Sequence, residues 1–356
     1  MKVKKLNRIF LSAVFLLLSA FYPLYAQDIT FSQFFNNPTY YNPAYVGLTT
    51  GLKIRFDGRR QWTSLPGDYK AYSFSADIAD RNIPGAGGIG IIASSVTEGV
   101  GMLQTTTFGF MPSVRIQING FSLLQFGALI SVMSRQVKWE NLVFSDQLDP
   151  RLGNISPSSF SYPDSKPAVF PDFSIGGIYQ LKINNVTGTF GLAVHHITEP
   201  DQSFLQDISP LPRKWVAHMD FIIDFKKNRG YYGRAREFKI DPGILYQSQA
   251  DMDLLAIGIN AYVSNVYFGA WFRNEVFNTS SFTTLVWMVG LNIPLNNISR
   301  MKVMYSFDMN TSRNTNFTGP SHEISLTFAF DKIRIINPNR MRSKKRWHSP
   351  LECSPF

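Results

Sequence analysis

The sequence predicts an all-β fold: a transmembrane antiparallel β-barrel of about fourteen strands (twelve to sixteen), with N- and C-termini on the periplasmic side. Three observations predict it. Apolar and polar residues alternate with a period of two in segment after segment. The connections between those segments alternate between short turns and long loops. After residue 26, no window holds the roughly 18 unbroken apolar residues of a membrane helix.

The chain opens on a leader. Residues 1–26 combine Lys2, Lys4, Lys5 and Arg8 with an apolar run from Ile9 to Phe21, then Pro23 and the small Ala26. That is the pattern of a secretory signal peptide cut before Gln27. The apolar run is short for a membrane anchor, and no Cys follows the cut, which excludes a lipoprotein. The sole cysteine, Cys353, permits no internal disulfide.

Residues 27–50 form a periplasmic N-terminal segment ahead of the first strand. Within it, NNPTYYNPAYVG (36–47) repeats Asn-Pro-x-Tyr at 37–40 and 42–45. Proline restrains the residue before it to extended geometry, and Asn-Pro favours a turn. Two turns five residues apart make a compact, aromatic-rich lead-in. Tyr40, Tyr41 and Tyr45 are expected at the periplasmic mouth, plugging the lumen or lining a partner surface.

Residues 51–330 carry the strands. In 52–59, Leu52, Ile54 and Phe56 oppose Lys53, Arg55, Asp57 and Arg59. In 70–78, Tyr72, Phe74, Ala76 and Ile78 oppose Ser73, Ser75 and Asp77. In 214–225, Trp215, Met219, Phe221 and Ile223 oppose Lys214, His218, Asp220 and Asp224. The same alternation marks 302–309 and 321–330. Fourteen segments result: 51–60, 70–80, 86–95, 104–116, 121–135, 172–181, 187–196, 214–225, 237–248, 253–262, 266–273, 282–292, 300–309 and 321–330. Most approach the 9–11 residues of a tilted membrane strand. Greasy faces go to lipid and polar faces to the lumen.

The connections test this independently. Asn119-Gly120, Asn184-Asn185, Ser264-Asn265 and Asn296-Asn297 suit tight turns because Asn and Gly tolerate positive φ. All fall on one parity. The longest connections, 136–171, 197–213 and 310–320, fall on the other; only 226–236 is longer than its parity predicts. An even-stranded barrel in an outer membrane has this pattern.

Of the net charge of +10, the leader supplies +4 and the basic tail 331–356 supplies +5, so residues 27–330 carry only +1. The high isoelectric point therefore gives no support for nucleic-acid binding. The periplasmic tail's Lys/Arg cluster at 340–346 suits anionic lipid or an acidic protein face.

Chemistry-bearing motifs are sparse. GAGGIG (85–90) fits a dinucleotide-loop pattern but leads into a strand with no helix, and reads as a hairpin and small-residue lumen patch. His195 and His196 are consecutive, so a strand sends them to opposite faces, away from a shared metal. No cofactor, metal or catalytic set is expected, and the chain reads as non-enzymatic. The lumen charges are Lys53, Arg55, Asp57, Arg59, Asp77, Arg115, His218, Asp220, Asp224, Lys302, Asp308 and Glu323. Their mixed signs favour a cross-linked, filled interior over a selective pore.

Three stretches together resemble one family: QDITFSQFFNNPTYYNPAYVG after the leader, RRQWTSLPGDYKAYSFSAD at 59–77, and SHEISLTF in the last strand. They resemble the PorP/SprF family of type IX secretion membrane proteins from Bacteroidetes-type bacteria. The matching positions are Gln27-Asp28, Phe31, Ser32, Gln33, Asn37, Pro38, Tyr41 through Gly47 (with Asn42, Pro43 and Tyr45), Arg59, Trp62, and Leu65, Pro66 and Gly67. The resemblance covers about 27–330; the basic tail goes beyond it. It implies an outer-membrane barrel supporting protein export or the surface attachment of gliding adhesins. The implied partners are outer-membrane lipids, a periplasmic lipoprotein ring, and secreted adhesin cargo through its C-terminal domain. The alternative function is a diffusion or uptake channel for small solutes.

Overall fold

The structure is a computed structural model. It describes residues 28–331 and 333, apart from 66, 68, 80–84, 101, 150, 155–156, 160–165, 204–207, 226–237, 276–282, 297 and 312–317. The leader, Gln27, Pro66, the connection 226–236 and nearly all of the tail lie outside the described residues.

Fourteen antiparallel strands close into one barrel. The first half is β1 (Gly51–Gln61), β2 (Tyr69–Ala79), β3 (Ala86–Glu98), β4 (Leu103–Gln117), β5 (Ser122–Gln136), β8 (Ala168–Ile183) and β9 (Val186–His195). The second half is β10 (Lys214–Phe225), β11 (Phe238–Gln249), β12 (Met252–Val263), β13 (Val266–Glu275), β14 (Thr283–Asn296), β15 (Ser299–Asn310) and β16 (Ser321–Phe330). A two-stranded ribbon, β6 (Leu148–Asp149) with β7 (Gly153–Asn154), decorates the longest loop. Each predicted strand is present, with ends moved by a few residues. β1 pairs with β16 from Leu52↔Phe330 to Arg60↔His322, so no edge is left unpaired in the ring. Closure matters because an unpaired backbone group in hydrocarbon costs several kcal/mol.

The tight turns fall where predicted, but at Asn119-Gly120 neither residue takes a positive φ, and the Asn119 side chain closes the turn instead. Asn119 Oδ1 accepts from the backbone N–H of Phe121 and of Ser122, both at 2.8 Å. Asn184 (φ 52°) and Ser264 (φ 56°) take the left-handed conformation that tight turns need. These turns share one mouth with Gly51 and Phe330. The long connections 137–167 and 196–213 share the opposite mouth.

Burial is inverted relative to a water-soluble protein. Phe56 is 45% exposed while its neighbour Asp57 is 4% exposed. Phe108, Phe126, Leu192, Trp215, Phe268 and Trp287 likewise face outward. That apolar exterior belongs in lipid. The lumen is not purely polar, which corrects the simple division of faces. Val216, Leu245, Tyr267, Trp271, Val286, Met288 and Met304 point inward and are buried. The reason is that residues 28–50 bring apolar side chains into the barrel, and the wall supplies a matching surface.

A charge on the lipid face of β4 tests the assignment. Phe110→Arg, placed midway along the strand, should destabilise the barrel by about 2–4 kcal/mol. The readout is the loss of heat-modifiable gel migration. Normal folding of this variant would contradict a membrane-embedded exterior.

Candidate functional site: the N-terminal plug and its anchors

The candidate site grows from residues 28–50, which run through the lumen. Asn37-Pro38 starts a one-turn helix, α1 (Pro38–Tyr41), and Asn42-Pro43 starts a 3₁₀ turn over Pro43–Tyr45. Proline occupies the first position of each, where its missing N–H costs nothing. Asn42 is extended (φ −151°, ψ 112°), as the residue before proline should be. Its Oδ1 accepts from Ala44 N at 2.9 Å, and its Nδ2 reaches the carbonyls of Gly177 and Leu192, each at 3.2 Å. The doubled motif therefore makes two linked turns, and the second is tied to β8 and β9. Gly176 lets Asn42 come this close, because a Cβ there would collide with Asn42 Oδ1.

The Phe31-Ser32-Gln33 step is the most densely bonded part. Glu323 on β16 accepts from Ser32 N at 2.7 Å and from Gln33 N at 3.0 Å. Arg59 on β1 pairs with Glu323 at 3.1 Å and with Asp308 on β15 at 2.8 Å. The Ser32 hydroxyl donates to Asp308 Oδ2 at 2.6 Å and accepts from Arg59 (2.7 Å) and Arg273 (3.0 Å). Gln33 Nε2 donates to Glu323 O at 3.1 Å, and Ser325 donates to Gln33 Oε1 at 2.9 Å. Arg59, Glu323 and Gln33 are among the most buried side chains. Burying two arginines is tolerable because two carboxylates and a hydroxyl meet them.

Toward β1, Gly47 N donates to Asp77 at 2.9 Å, and Asp77 also pairs with Arg55. Ser113 and Gln125 bond the carbonyl of Val46, and Arg115 reaches that of Leu48 at 3.4 Å. Gly47 (φ 64°) packs against Gly87 O, 2.5 Å from where a Cβ would stand. Gly87, Gly88 and Gly90 thus form a small-residue lumen patch over which the segment leaves, while Gly85 stands exposed in the turn before them.

At the long-loop mouth, the His196 ring bridges two carboxylates, Asp28 at 2.8 Å and Asp172 at 3.1 Å. Lys214 stands 3.7 Å from Asp28, and Asp28 N donates to Gln249 at 2.8 Å. Burial opposes a charged imidazole, yet Asp28 and Asp172 outweigh it and raise His196 to about 10. Burial likewise opposes the Asp28 carboxylate, but His196 and Lys214 hold it far below the usual range.

Two sequence expectations are corrected here. His195 and His196 do not face opposite sides. The strand ends at His195, whose Nε2 donates to Tyr41 O at 2.9 Å, and His196 (φ 55°) turns inward as well. Tyr40 and Tyr41 do not sit at the short-turn mouth. They lie deeper in the lumen, where Tyr41 OH donates to Phe31 O at 2.7 Å and Phe31 packs edge-on against Tyr40. The segment begins beside the long-loop mouth and ends at the short-turn mouth, rather than standing wholly at the latter.

The remaining predicted positions scatter. Trp62 and Gly67 lie exposed at the long-loop mouth, away from the plug. Asp57 faces the lumen, and both its oxygens lack a hydrogen-bond partner. Lys53, His218, Asp220, Asp224 and Lys302 line a cavity of about 270 Å³ between the plug and the short-turn mouth. His218 stacks on Tyr45 at 5.2 Å. Sequence reading missed Asp28, Asp172, His196, Asp241 and Arg273 as anchors or lining groups. Arg273 and Trp271 lie on β13, which is aromatic on both faces and so has no readable alternation.

A closed ring with an apolar exterior and an internally plugged lumen defines a multi-pass outer-membrane β-barrel. Residues 24–328 match the family model described as "Type IX secretion system membrane protein PorP/SprF". The chain belongs to this family. Comparison with curated proteins finds no match. Among solved structures it is similar in fold to a Pseudomonas aeruginosa FadL homologue (12% identity, 83% of this chain and 94% of that one, TM-score 0.42). It is also similar to a mutant of the monoaromatic hydrocarbon channel TodX (10%, 83% and 94%, TM-score 0.43). A third is the β domain of the Bordetella autotransporter BrkA (10%, 79% and 98%, TM-score 0.39).

Two predictions follow from the anchors. Glu323→Gln leaves Arg59 short of a counter-charge and should cost about 3–5 kcal/mol, whereas Asp57→Asn removes an unpartnered buried charge and should be neutral or stabilising. Urea midpoints of the purified barrel in detergent decide this; equal losses in both variants would contradict the assignment.

The second concerns pH. His196 is raised from 6.5, so its contribution is complete below about pH 6.5 and is lost as pH rises through about 10. Asp28 is depressed from 3.8, so its contribution is present above that value and is lost on acidification. The clamp is therefore strongest between about pH 4 and 6.5. The stability difference between wild type and His196→Gln should be largest near pH 6 and shrink toward pH 10. A pH-independent difference would contradict the clamp.

Proposed function

We propose that this barrel acts in type IX secretion as a non-enzymatic docking component, supporting export or the surface attachment of adhesins. The observation that carries the reading is the lumen. It is occupied by the chain's own segment 28–50, held by hydrogen bonds of Ser32 and Gln33 with the buried cluster of Arg59, Arg273, Asp308 and Glu323. A pore for diffusing solutes needs an open path, so the occupied lumen weighs against the channel alternative. A component that works through its surfaces has no such need.

In this reading the short-turn mouth faces the periplasm and the long loops face outward. The short turns and the basic tail that follows Phe330 then offer the inner contacts, to a lipoprotein ring or a cargo C-terminal domain. The plug contributes indirectly, by fixing the wall from inside. Its side chains Phe31, Gln33, Asn37, Tyr41 and Asn42 are too buried to be a partner surface.

The test is deletion of the gene followed by quantitation of the secreted and surface protein fractions, with conductance of the purified barrel in planar bilayers alongside. The expected result is loss of a secreted or surface-attached subset with no steady conductance. Unchanged export and adhesion would overturn the secretion reading. A steady open conductance with unchanged export would establish the channel instead.

A further inference from the structure

The outer wall carries basic side chains at one place. On most strands Lys and Arg turn inward: Arg59, Arg115 and Arg273 are buried, and others line the lumen. Among the described residues, Arg60 and Lys70 are the only Lys or Arg at outward strand positions, and they are direct cross-strand partners on β1 and β2. His322 on β16 faces Arg60 from its other side, so His322, Arg60 and Lys70 make one row. Tyr305 OH meets His322 Nδ1 at 2.7 Å. The row lies at the long-loop ends of its strands, where a charge on the lipid face costs least. Like charges directly opposite across a strand pair repel, so an anion between them turns repulsion into two attractions.

Carboxylates do not balance this row from the same face. Asp57, Asp77, Asp308 and Glu323 on the neighbouring strands turn inward and are buried, and Glu98 accepts from Tyr69 OH on the lumen side. By sequence, the connections 62–68 and 311–320 add one Asp and one Arg, Asp68 and Arg313, which lie outside the described residues, so the sum stays positive.

Below the row, toward mid-membrane, a groove of about 440 Å³ opens on the lipid face. Gly58, Ala93 and Ser95 make its small-residue floor, and Phe56, Tyr72 and Phe74 its aromatic walls. Gly58 is two residues from Arg60, about 7 Å along the strand, and pairs with Tyr72 on one side and Ile324 on the other. Tyr72 is 61% exposed, and such rings with a polar tip suit headgroup depth. The exposed Trp62 and Leu65, in the connection after Arg60, extend the apolar surface at that mouth.

The geometry points to a binding site for one phosphorylated lipid, its phosphate held by Arg60 and Lys70 and an acyl chain laid in the groove beside Gly58. The Arg60 guanidinium forks onto two phosphate oxygens and Lys70 adds a point charge. The lipid is a phosphorylated glycolipid of the outer leaflet, of the lipid A type. The leaflet rests on the reading that the long loops face outward, since the row stands at their mouth.

The experiment titrates the full-length barrel in detergent with lipid A, with lipid A stripped of its phosphates, and with phosphatidylglycerol, and reads bound lipid by native mass spectrometry. Lipid A should bind about tenfold more tightly than either of the others. The double variant Arg60→Gln, Lys70→Gln should lose that preference. Gly58→Leu should weaken lipid A severalfold with the charges intact; a Cβ there meets the Tyr72 ring at an ordinary 3.5 Å, so the wall tolerates it. Equal binding of the dephosphorylated form or of phosphatidylglycerol, or unchanged affinity in the double variant, would overturn the site. Orientation is read separately: Leu152→Cys, in a Cys353→Ser background, should react with an impermeant maleimide on intact cells. Failure of that labelling would overturn the outer-leaflet source, and with it the orientation, without changing the titration in detergent.

Discussion

The Glu323 carboxylate, facing inward from the last strand, is the point on which the plug depends. It receives two consecutive backbone N–H groups, from Ser32 and Gln33, and it neutralises Arg59. A chain segment inside a barrel forfeits water, so its backbone donors and acceptors need partners from the wall. The wall meets this demand with side chains, because its own backbone groups are spent on the strand ladder. That explains why inward positions on β1, β2, β4, β5, β15 and β16 carry Arg59, Asp77, Ser113, Gln125, Asp308 and Glu323 rather than the simpler polar lining of a water-filled pore.

The same demand explains the limits of sequence reading. The barrel was legible because lipid outside and an aqueous or polar inside impose a period of two on each strand. Asp57 and Phe56, adjacent in sequence and opposite in exposure, are the clearest case. The plug was only half legible. Its doubled Asn-Pro-x-Tyr announced two turns, but turns carry no information about depth. Tyr41 reads the same at a mouth or in mid-lumen; what sinks it is an apolar patch from Val216, Tyr267, Trp271 and Met304, assembled from strands far apart in the chain. His196 escapes the alternation because the strand stops one residue before it. A left-handed φ at that residue sends its ring inward, and no local pattern marks the change.

Polar matching is incomplete, and the gaps are unevenly placed. Asn37 has neither side-chain atom bonded although it is almost wholly buried, and Asp57 is in the same position. Both lie apart from the Arg59 cluster in bonding terms, which means the cluster is not a general excess of charge but a set of specific pairs. Removing one member strands its partner, whereas removing an orphan relieves a cost. The two classes of buried polar residue look alike in composition and differ only in their neighbours.

The anchoring set also constrains the order of assembly. Ser32 and Gln33 are separated from Glu323 by about 290 residues, and Arg59 and Glu323 sit on the two strands whose pairing closes the ring. Before β1 meets β16, the seat for the plug lacks one wall, and Arg59 has neither Glu323 nor Asp308 beside it. Closing a loop of that length carries an entropy cost that only long-range contacts can offset. The plug supplies such contacts at the seam itself, since it touches β1 through Arg59 and β15 and β16 through Asp308 and Glu323. Plug seating therefore depends on barrel closure: closure brings Asp308 and Glu323 to Arg59, and only then does Glu323 stand where the N–H groups of Ser32 and Gln33 can meet it.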